Sequence, residues 1–274
     1  MKRIYGVIGD PIEHSLSPVM QNAAIEEMKM DSIYLAFRVK AEEVKTAVLG
    51  AKSLGISGLN VTVPHKQRVM EFLELDSLAR DIGAVNTIDF STNTGYNTDG
   101  VGVKRALEGH GVAVKSKSVL LLGAGGAARA IAFQLEHEGA EITIANRTEK
   151  KAIVLADSIN GNVTGMGLGE LSKIVKDSDI LINSTSVGMF PDLENSLVTS
   201  DLMHPDLVVF DIVYNPVETR LLREAKKAGS RTIDGVMMLV HQGAESFKIW
   251  TGREAPLDVM EKAVRGALKM TLRR

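Results

Sequence analysis

The amino-acid sequence predicts an α/β fold, in which the strands of parallel sheets alternate with helices. Short apolar runs typical of buried strands alternate with helical patterns over almost all of the 274 residues. Alternation of this kind indicates parallel sheets with helices packed on their faces. It breaks once, at residues 84–98, where Val85–Phe90, the sequence STNTG and Tyr96 indicate a hairpin or two short strands. We therefore expect a domain boundary near that break.

The remaining predicted strands are short apolar runs bounded by polar or glycine residues. They are Ile4–Ile8, Tyr34–Val39, Leu59–Val63, Val119–Leu122, Ile142–Ala145, Ile180–Asn183 and Val208–Val213. Helical patterns occupy about 17–29, 42–53, 126–138, 149–159, 169–176, 218–228, 236–249 and 257–272, and a further helix begins near Asp99. Ser17 is the predicted N-cap of the first helix, with Pro18 at its first position. Gly139 and Gly229 stand where helix C-caps are expected.

Composition and charge exclude several classes of protein. Lys plus Arg total 32 against 34 for Asp plus Glu, a net charge of −2 that gives no general attraction to nucleic acid or to anionic membranes. Cysteine is absent, which excludes disulfides and thiolate sites, and the histidines lack helical ligand spacing, so we expect no metal site. The apolar start is too short for a signal peptide, and no run is long enough to span a membrane. We expect a cytoplasmic protein.

The basic residues at the C-terminus are explained by their position at the end of a helix and do not indicate nucleic-acid binding. Lys269, Arg273 and Arg274 follow the apolar stripe of the last helix, where cations suit the negative end of the helix dipole.

A glycine-rich turn at residues 118–135, SVLLLGAGGAARAIAFQL, is the clearest local signal. A buried strand leads into the glycines, and an amphipathic helix follows directly, which is the context that distinguishes a dinucleotide-binding turn from a chance glycine pattern. Gly123 permits the tight turn, Gly125 lets the backbone approach a pyrophosphate, and Ala128 allows close packing of helix on strand. We expect phosphate contacts from Gly123, Ala124, Gly125, Gly126 and Ala127. The alternative is an ordinary Gly/Ala-rich turn in an unrelated α/β protein.

The end of the next strand, EITIA, predicts which dinucleotide is bound. An acidic residue there would hold the ribose hydroxyl of NAD, but the sequence continues Asn146-Arg147-Thr148, with Lys150 and Lys151 next. A guanidinium at this place suits a 2′-phosphate, and the absence of a carboxylate removes a repulsive charge. The pattern favours NADP over NAD, with a solvated basic loop as the alternative.

Four polar clusters lie outside the glycine turn, where loops at strand ends are expected. They are Ser15-Leu16-Ser17-Pro18, residues 60–66 (NVTVPHK), residues 84–87 (AVNT) and residues 97–100 (NTDG). Taken singly, each has an ordinary explanation as a cap, a turn or a strand end. Loops at strand ends are nevertheless where α/β proteins bind ligands.

Taken together, these segments resemble the shikimate dehydrogenase family. The order SLSP, NVTVPHK, GAVNT, NTDG, GAGGAARA, NRT, NSTSVGM, DIVYNP and HQGAESFKIWTG covers nearly the whole chain. An unrelated dinucleotide-binding protein would share only the glycine turn. The resemblance implies an N-terminal α/β substrate domain, residues 1–100 plus 237–274, and a Rossmann-type doubly wound NADP domain, residues 101–236, with a cleft between them.

The resemblance also implies roles for the polar clusters in the reduction of 3-dehydroshikimate to shikimate. Lys66 and Asp99 form the catalytic pair, without a decision on which carries the resting proton. The other substrate-binding residues are Ser15, Ser17 and Tyr214 for the carboxylate, and Thr62, Asn86, Asp99 and Gln242 for the ring hydroxyls. His65 and His241 are interpreted as packing neighbours.

Further cofactor contacts are expected beyond the glycine turn. They are Asn146, Arg147, Thr148 and Lys151 at the second strand, Thr185, Ser186 and Met189 after the third, and Ile212 and Gly235 near the nicotinamide half. Two other functions stay open: a quinate/shikimate dehydrogenase of broader specificity, and a non-catalytic NADP-sensing module. The expected partners are small molecules, and the protein is expected to be a monomer or a homodimer.

Overall fold

A computed structural model describes residues 2–271, so that Arg273 and Arg274 of the predicted basic tail lie outside the described residues. The chain divides into two compact units. The first unit comprises Met1–Asp99 and Val240–Arg274, and the second unit comprises Gly100–Leu239. In the part of the chain that is described, no helix is both long and apolar enough to cross a membrane.

The elements follow one another largely as strand, then helix. The strands are β1 (Arg3–Gly9), β2 (Ser32–Arg38), β3 (Gly58–Val61), β4 (Glu74–Leu75), β5 (Thr87–Asp89), β6 (Thr94–Tyr96), β7 (Ser118–Leu122), β8 (Glu141–Ala145), β9 (Val163–Met166), β10 (Ile180–Asn183), β11 (Val208–Asp211) and β12 (Arg231–Ile233). The α-helices are α1 (Ser17–Glu27), α2 (Val44–Ser53), α3 (Ser77–Ile82), α4 (Asp99–Gly109), α5 (Gly126–His137), α6 (Glu149–Asp157), α7 (Leu171–Ile174), α8 (Arg220–Lys227), α9 (Gly235–Thr251) and α10 (Leu257–Thr271). The predicted α/β class is confirmed.

The first unit contains a mixed six-stranded sheet in the order β2-β1-β3-β5-β6-β4. β1 pairs in parallel with β2 and β3, whereas the β5–β6 hairpin around STNTG is antiparallel. The C-terminal part of the chain belongs to this unit, because Trp250 of α9 stacks on Tyr5 of β1 with ring centroids 5.1 Å apart. The indole N–H of Trp250 also donates to the Ile88 carbonyl at 2.9 Å. α9 is therefore fixed against the middle of the sheet.

The second unit contains a wholly parallel six-stranded sheet in the order β12-β11-β10-β7-β8-β9. β7 is central, and the chain winds outward from it first to β8 and β9 and then to β10, β11 and β12, which is the doubly wound Rossmann order. Alternate residues of β7 enter different apolar cores: Leu121 lies in one, and Leu120 and Leu122 in the other. Both faces of this sheet are thus buried, as its continuous apolar strands predict.

Several local expectations were wrong. The N-cap of α1 is Leu16, not Ser17, which is already the first helical residue. The strand expected over Val208–Val213 stops at Asp211, because the Asp211 carboxylate accepts a hydrogen bond from the Val213 N–H and turns the chain. The strand expected to reach Val63 stops at Val61.

Several short helices and strands were also not predicted from the sequence pattern. The helix expected at 169–176 contains only α7 with a 3-10 turn on either side. The strands β4, β9 and β12 and the helix α3 were not predicted. The glycines expected at helix ends do adopt the left-handed region, with φ +84° at Gly139 and +78° at Gly229.

Candidate active site

An ammonium–carboxylate pair lies in the first unit, in the segments that follow β3 and β6. Lys66 belongs to the loop after β3, and Asp99 is the first residue of α4. The Lys66 Nζ lies 2.6 Å from Oδ2 of Asp99, and the two side chains are 22% and 7% exposed. A charge-assisted hydrogen bond of this length, largely shielded from water, holds both groups in place.

Asn86 fixes the other side of the same carboxylate. Its Nδ2 donates to Oδ1 of Asp99 at 2.8 Å, while the backbone N–H of Asp99 donates to Oδ1 of Asn97 at 3.0 Å. The backbone also joins these segments, since the Val85 N–H donates to the Lys66 carbonyl at 2.8 Å. Each oxygen of Asp99 thus has its own partner, which sets the plane of the carboxylate toward Lys66.

A buried polar network lies behind Asn86, and the sequence reasoning missed it. Asn60 at the end of β3 donates through Nδ2 to the Asn86 carbonyl at 3.0 Å and to Oγ of Ser246 in α9 at 2.9 Å. The Tyr34 hydroxyl donates to Oδ1 of Asn60 at 2.7 Å. Thr98 donates from its hydroxyl to the Gln242 carbonyl at 3.0 Å. The network therefore connects α9 to Thr98, the residue that immediately precedes Asp99.

The two serines of the SLSP segment meet where the loop after β1 enters α1. The Ser17 N–H donates to Oγ of Ser15 at 3.3 Å, and Ser17 is buried. This loop lies beside the loop after β3, because the Asp10 N–H donates to the Val63 carbonyl at 3.2 Å. Thr62 lies in that second loop, where its N–H donates to the Ile8 carbonyl at 3.0 Å. The loop that leads from β1 to SLSP thus lies beside NVTVPHK, because these loops follow adjacent parallel strands.

Both histidines next to the motifs are buried within the first unit. The His65 ring places Nε2 2.7 Å from the Val39 carbonyl, which is a packing and hydrogen-bonding role. His241 is buried and adjoins Gln242 in α9. Tyr214 belongs to the second unit, where burial raises the pKa of its hydroxyl above the ordinary value of 10.0. Its hydroxyl therefore stays protonated at neutral pH and can donate a hydrogen bond.

The glycine turn of the second unit has the shape needed to receive a pyrophosphate. Gly123 has φ +110°, and a Cβ there would lie 2.7 Å from Oγ of Ser184, so glycine is required. A Cβ built on Gly125 or Gly126 would meet nothing within 4 Å, so the space in front of the turn is open. α5 starts at Gly126, and its N-cap residue, Gly125, has no side chain with which to cap it. Uncapped N–H groups at a helix N-terminus are a general site for phosphate.

The loop after β8 carries the residues expected at the adenosine ribose. The Asn146 Nδ2 donates to the Thr148 carbonyl at 3.0 Å, and the Lys151 N–H donates to the same carbonyl at 2.9 Å. These bonds define a compact turn at the start of α6. Arg147 and Lys151 are exposed on this turn, where a 2′-phosphate could reach them. The residues present therefore fit NADP.

The segments after β10 and β11 are tied together by a buried carboxylate. Asp211 accepts hydrogen bonds from Nδ2 of Asn183 at 2.9 Å, from the Val213 N–H at 3.1 Å and from the Thr219 hydroxyl at 2.6 Å. Burial raises the pKa of Asp211 from its ordinary value of 3.8 to about 6. This arrangement was not predicted, because a polar residue at the end of an apolar strand is common and does not by itself indicate a buried hydrogen-bond network.

The expected nicotinamide-side residues lie in these two segments or against them. Met189 is 46% exposed, and its N–H donates to the Ser186 carbonyl at 3.1 Å. A Cβ on Gly235 would lie 2.5 Å from the carbonyl oxygen of Ile212, so glycine is needed where α9 begins. The Thr185 hydroxyl donates to Oδ1 of Asn183 at 2.7 Å.

The doubly wound sheet, the open glycine turn and the basic turn after β8 define a dinucleotide-binding α/β protein, and the Lys66–Asp99 pair adds acid–base groups to it. Three family models match the chain: the shikimate dehydrogenase substrate binding domain at residues 7–88, the shikimate/quinate 5-dehydrogenase at 104–236, and the shikimate 5′-dehydrogenase C-terminal domain at 235–265.

Comparisons with whole proteins agree with these models. The NADP(+) shikimate dehydrogenase of Methanosarcina barkeri is 54% identical over 98% of this chain and 100% of the relative. A crystal structure of a shikimate dehydrogenase in complex with NADP+ has a TM-score of 0.93 and 44% identity, covering 97% of this chain and 96% of the other. The Thermus thermophilus enzyme in complex with NADP(H) and shikimate has a TM-score of 0.89 and 35% identity, over 97% and 99% of the two chains. The chain belongs to the shikimate dehydrogenase family.

Proposed function

We propose that the protein catalyses the reversible, NADPH-dependent reduction of 3-dehydroshikimate to shikimate. The observation that carries the proposal is the Lys66–Asp99 pair, 2.6 Å apart and mostly buried, in a chain whose relatives are named NADP(+) shikimate dehydrogenases. A protein that only sensed NADP would need no acid–base pair, so the pair favours an enzyme.

Lys66 is the proposed proton donor to the ketone oxygen. NADPH, when bound, supplies the hydride. An ammonium has three N–H donors, of which Asp99 takes one, so Lys66 can donate to a substrate oxygen as negative charge develops on it. In the reverse direction the Lys66–Asp99 pair receives the proton of the alcohol. Asn86 maintains the carboxylate orientation in both directions through its bond to Oδ1 of Asp99.

The proposed substrate contacts follow from the chemistry of a cyclohexene carboxylate that bears hydroxyls. Ser15, Ser17 and the protonated hydroxyl of Tyr214 are donors for the carboxylate. The ring hydroxyls are assigned to Thr62, Asn86, Asp99 and Gln242. Buried polar groups of this kind give specificity, because an analogue that lacks a hydroxyl would leave them without partners.

The proposed cofactor contacts use the second unit. The pyrophosphate is assigned to the residues around the open glycine turn: Gly123, Ala124, Gly125, Gly126 and Ala127. The 2′-phosphate is assigned to the turn after β8: Asn146, Arg147, Thr148 and Lys151. The nicotinamide half is assigned to the segments after β10 and β11 and to the start of α9: Thr185, Ser186, Met189, Ile212 and Gly235. On this proposal the first unit is the substrate domain and the second unit the NADP domain.

Initial rates of NADP+ reduction with shikimate test the proposal, with quinate and NAD+ as replacements. We expect turnover with shikimate and NADP+ that greatly exceeds turnover with either replacement. Comparable rates with quinate or NAD+ would instead assign the broader quinate/shikimate activity. NADP+ binding without turnover would assign a sensor and remove Lys66 and Asp99 from any chemistry.

A further inference from the structure

The Asp211 carboxylate is fully buried, and the contacts that hold it are neutral. Its exposed fraction is 0%, and its donors are an amide, a backbone N–H and a hydroxyl from Asn183, Val213 and Thr219. Burial without a cation disfavours the ionised form, which is why the pKa of Asp211 rises to about 6. The carboxylate is thus oriented by three directed hydrogen bonds that come from two different segments of the chain.

The hydrogen bond from Asn183 connects Asp211 to the segment after β10. Asn183 ends β10, and its Nδ2 donates to Asp211, which fixes the amide so that Oδ1 faces the opposite way. That Oδ1 accepts from the Thr185 N–H at 3.1 Å and from the Thr185 hydroxyl at 2.7 Å. The Val187 N–H in turn donates to Oγ1 of Thr185 at 3.1 Å. Asp211 thus sets the amide orientation on which the turn of this segment depends.

The hydrogen bonds from Val213 and Thr219 connect Asp211 to the segment after β11. The Val213 N–H donates to Oδ1 of Asp211, which fixes the backbone between Ile212 and Tyr214. The Thr219 hydroxyl donates to Oδ2, and Oγ1 of Thr219 accepts the Leu222 N–H at the N-cap of α8. One carboxylate therefore joins two loop segments and the start of a helix, all at the carboxyl edge of the sheet.

We propose that Asp211 is a positioning residue that holds the two segments after β10 and β11 in the shape that receives the nicotinamide half of the cofactor. This inference rests on the proposed function, which assigns that half to Thr185, Met189 and Ile212. The adenosine half is assigned elsewhere, to the glycine turn and to Arg147. Loss of the Asp211 contacts should consequently weaken one half of the cofactor site and leave the other intact.

Equilibrium binding of two ligands to Asp211→Asn tests the inference. The ligands are NADP+ and adenosine 2′,5′-bisphosphate, which carries only the adenosine half. The asparagine has the same shape but places an N–H where the wild type accepts hydrogen bonds. We expect the affinity for NADP+ to fall by about 10-fold, as for the loss of one or two buried hydrogen bonds, with adenosine 2′,5′-bisphosphate within about twofold of wild type. Unchanged binding of NADP+, or equal weakening of both ligands, would overturn the inference.

A matched control and a second pair of variants complete the test. Asp179 immediately precedes β10, where its carboxylate accepts from the Ser118 N–H at 2.9 Å and pairs with Lys117 at 2.8 Å, so Asp179→Asn is a carboxylate-to-amide change at the other end of the strand. It should bind both ligands as the wild type does.

Thr219→Val removes one donor to Asp211 and should weaken the binding of NADP+ but not that of adenosine 2′,5′-bisphosphate. Thr219→Ser keeps the hydroxyl and should bind NADP+ as the wild type does. These variants serve if Asp211→Asn does not fold.

The same measurements separate this inference from the proposed function. Wild-type protein that binds neither NADP+ nor adenosine 2′,5′-bisphosphate would refute the proposed function and the inference with it. Wild-type protein that binds both, with Asp211→Asn indistinguishable from it, would refute the inference alone.

Discussion

The ammonium nitrogen of Lys66 lies 2.6 Å from Oδ2 of Asp99, and the two residues are held there by segments that are 33 positions apart in the chain. Oδ1 of the same carboxylate is occupied by Nδ2 of Asn86. Both oxygens of the carboxylate therefore have partners within the protein, and a pair held in this way needs less reorganisation during the proposed reaction.

Replacing Lys66 by Ala should remove the proton donor. We expect kcat for shikimate oxidation to fall by about 10²–10⁴-fold, with NADP+ affinity unchanged, because general acid–base catalysis contributes about that much. Steady-state kinetics together with NADP+ binding measure the two effects. Lys104→Ala is the matched control, since Lys104 also forms a partly buried ion pair, with Glu138 at 2.9 Å, but has no assigned role in the reaction. Near-normal turnover of Lys66→Ala would exclude Lys66 from the chemistry.

Replacing Asn60 by Ala should destabilise the first unit far more than replacing Ser246. Asn60→Ala removes the acceptor of the buried Tyr34 hydroxyl and one of the two donors to the Asn86 carbonyl, which keeps the Val61 N–H, so the free energy of unfolding should fall by roughly 2–4 kcal/mol. Ser246→Ala leaves Asn60 with other acceptors, Asn86 and Thr87, and should cost less than about 1 kcal/mol. Denaturant unfolding measures both variants. Equal losses would mean that Asn60 is not the centre of the network.

Replacing Arg147 by Ala should reduce the preference for NADP+. We expect kcat/KM for NADP+ to fall by about 10–100-fold, as for the loss of a charge-assisted hydrogen bond to phosphate, with NAD+ changing by less than about threefold. Lys173→Ala, which removes a 77% exposed cation from the same unit, serves as the control for net charge. A parallel loss with NADP+ and NAD+ would show that Arg147 does not contact the 2′-phosphate.

The titration of Asp211 should lower the free energy of unfolding as the pH rises, which is the opposite of the usual effect of a carboxyl group. Its folded pKa of about 6 is above the ordinary 3.8, so between these values the folded state binds more protons than the unfolded state. Stability from this group is therefore lost as pH rises from about 4 to about 6, by roughly 2–4 kcal/mol in all. Asp211→Asn cannot titrate and should lack this component. Unfolding free energies of the two proteins across that pH range give the difference, and identical pH profiles would contradict the assignment.

The sequence predicted those parts of the fold that are determined by residues close together in the chain. β7, the glycine turn and α5 follow one another within residues 118–137, and each is recognisable from its own composition. β4 and β12 were missed because they are only 2 and 3 residues long, too short for a hydrophobic period to show.

The candidate site likewise contains some residues that motifs predict and others that only tertiary contacts bring together. Lys66 and Asp99 could be named from motifs, but the Asn60–Ser246 bond joins residues 186 positions apart and has no sequence signal. The link from Asp211 to Asn183 likewise depends on the pairing of β11 with β10. Motifs predict which groups contact ligands, whereas the residues that hold those groups in place are defined by tertiary contacts.

The most direct test of the central claim is the rate of NADP+ reduction by the wild-type protein with shikimate, measured beside Lys66→Ala. We predict rapid turnover of the wild type with shikimate and NADP+, slow turnover when quinate replaces shikimate or NAD+ replaces NADP+, and near-complete loss of turnover in the variant. Wild-type protein that binds NADP+ but does not oxidise shikimate, or a variant as active as the wild type, would contradict it.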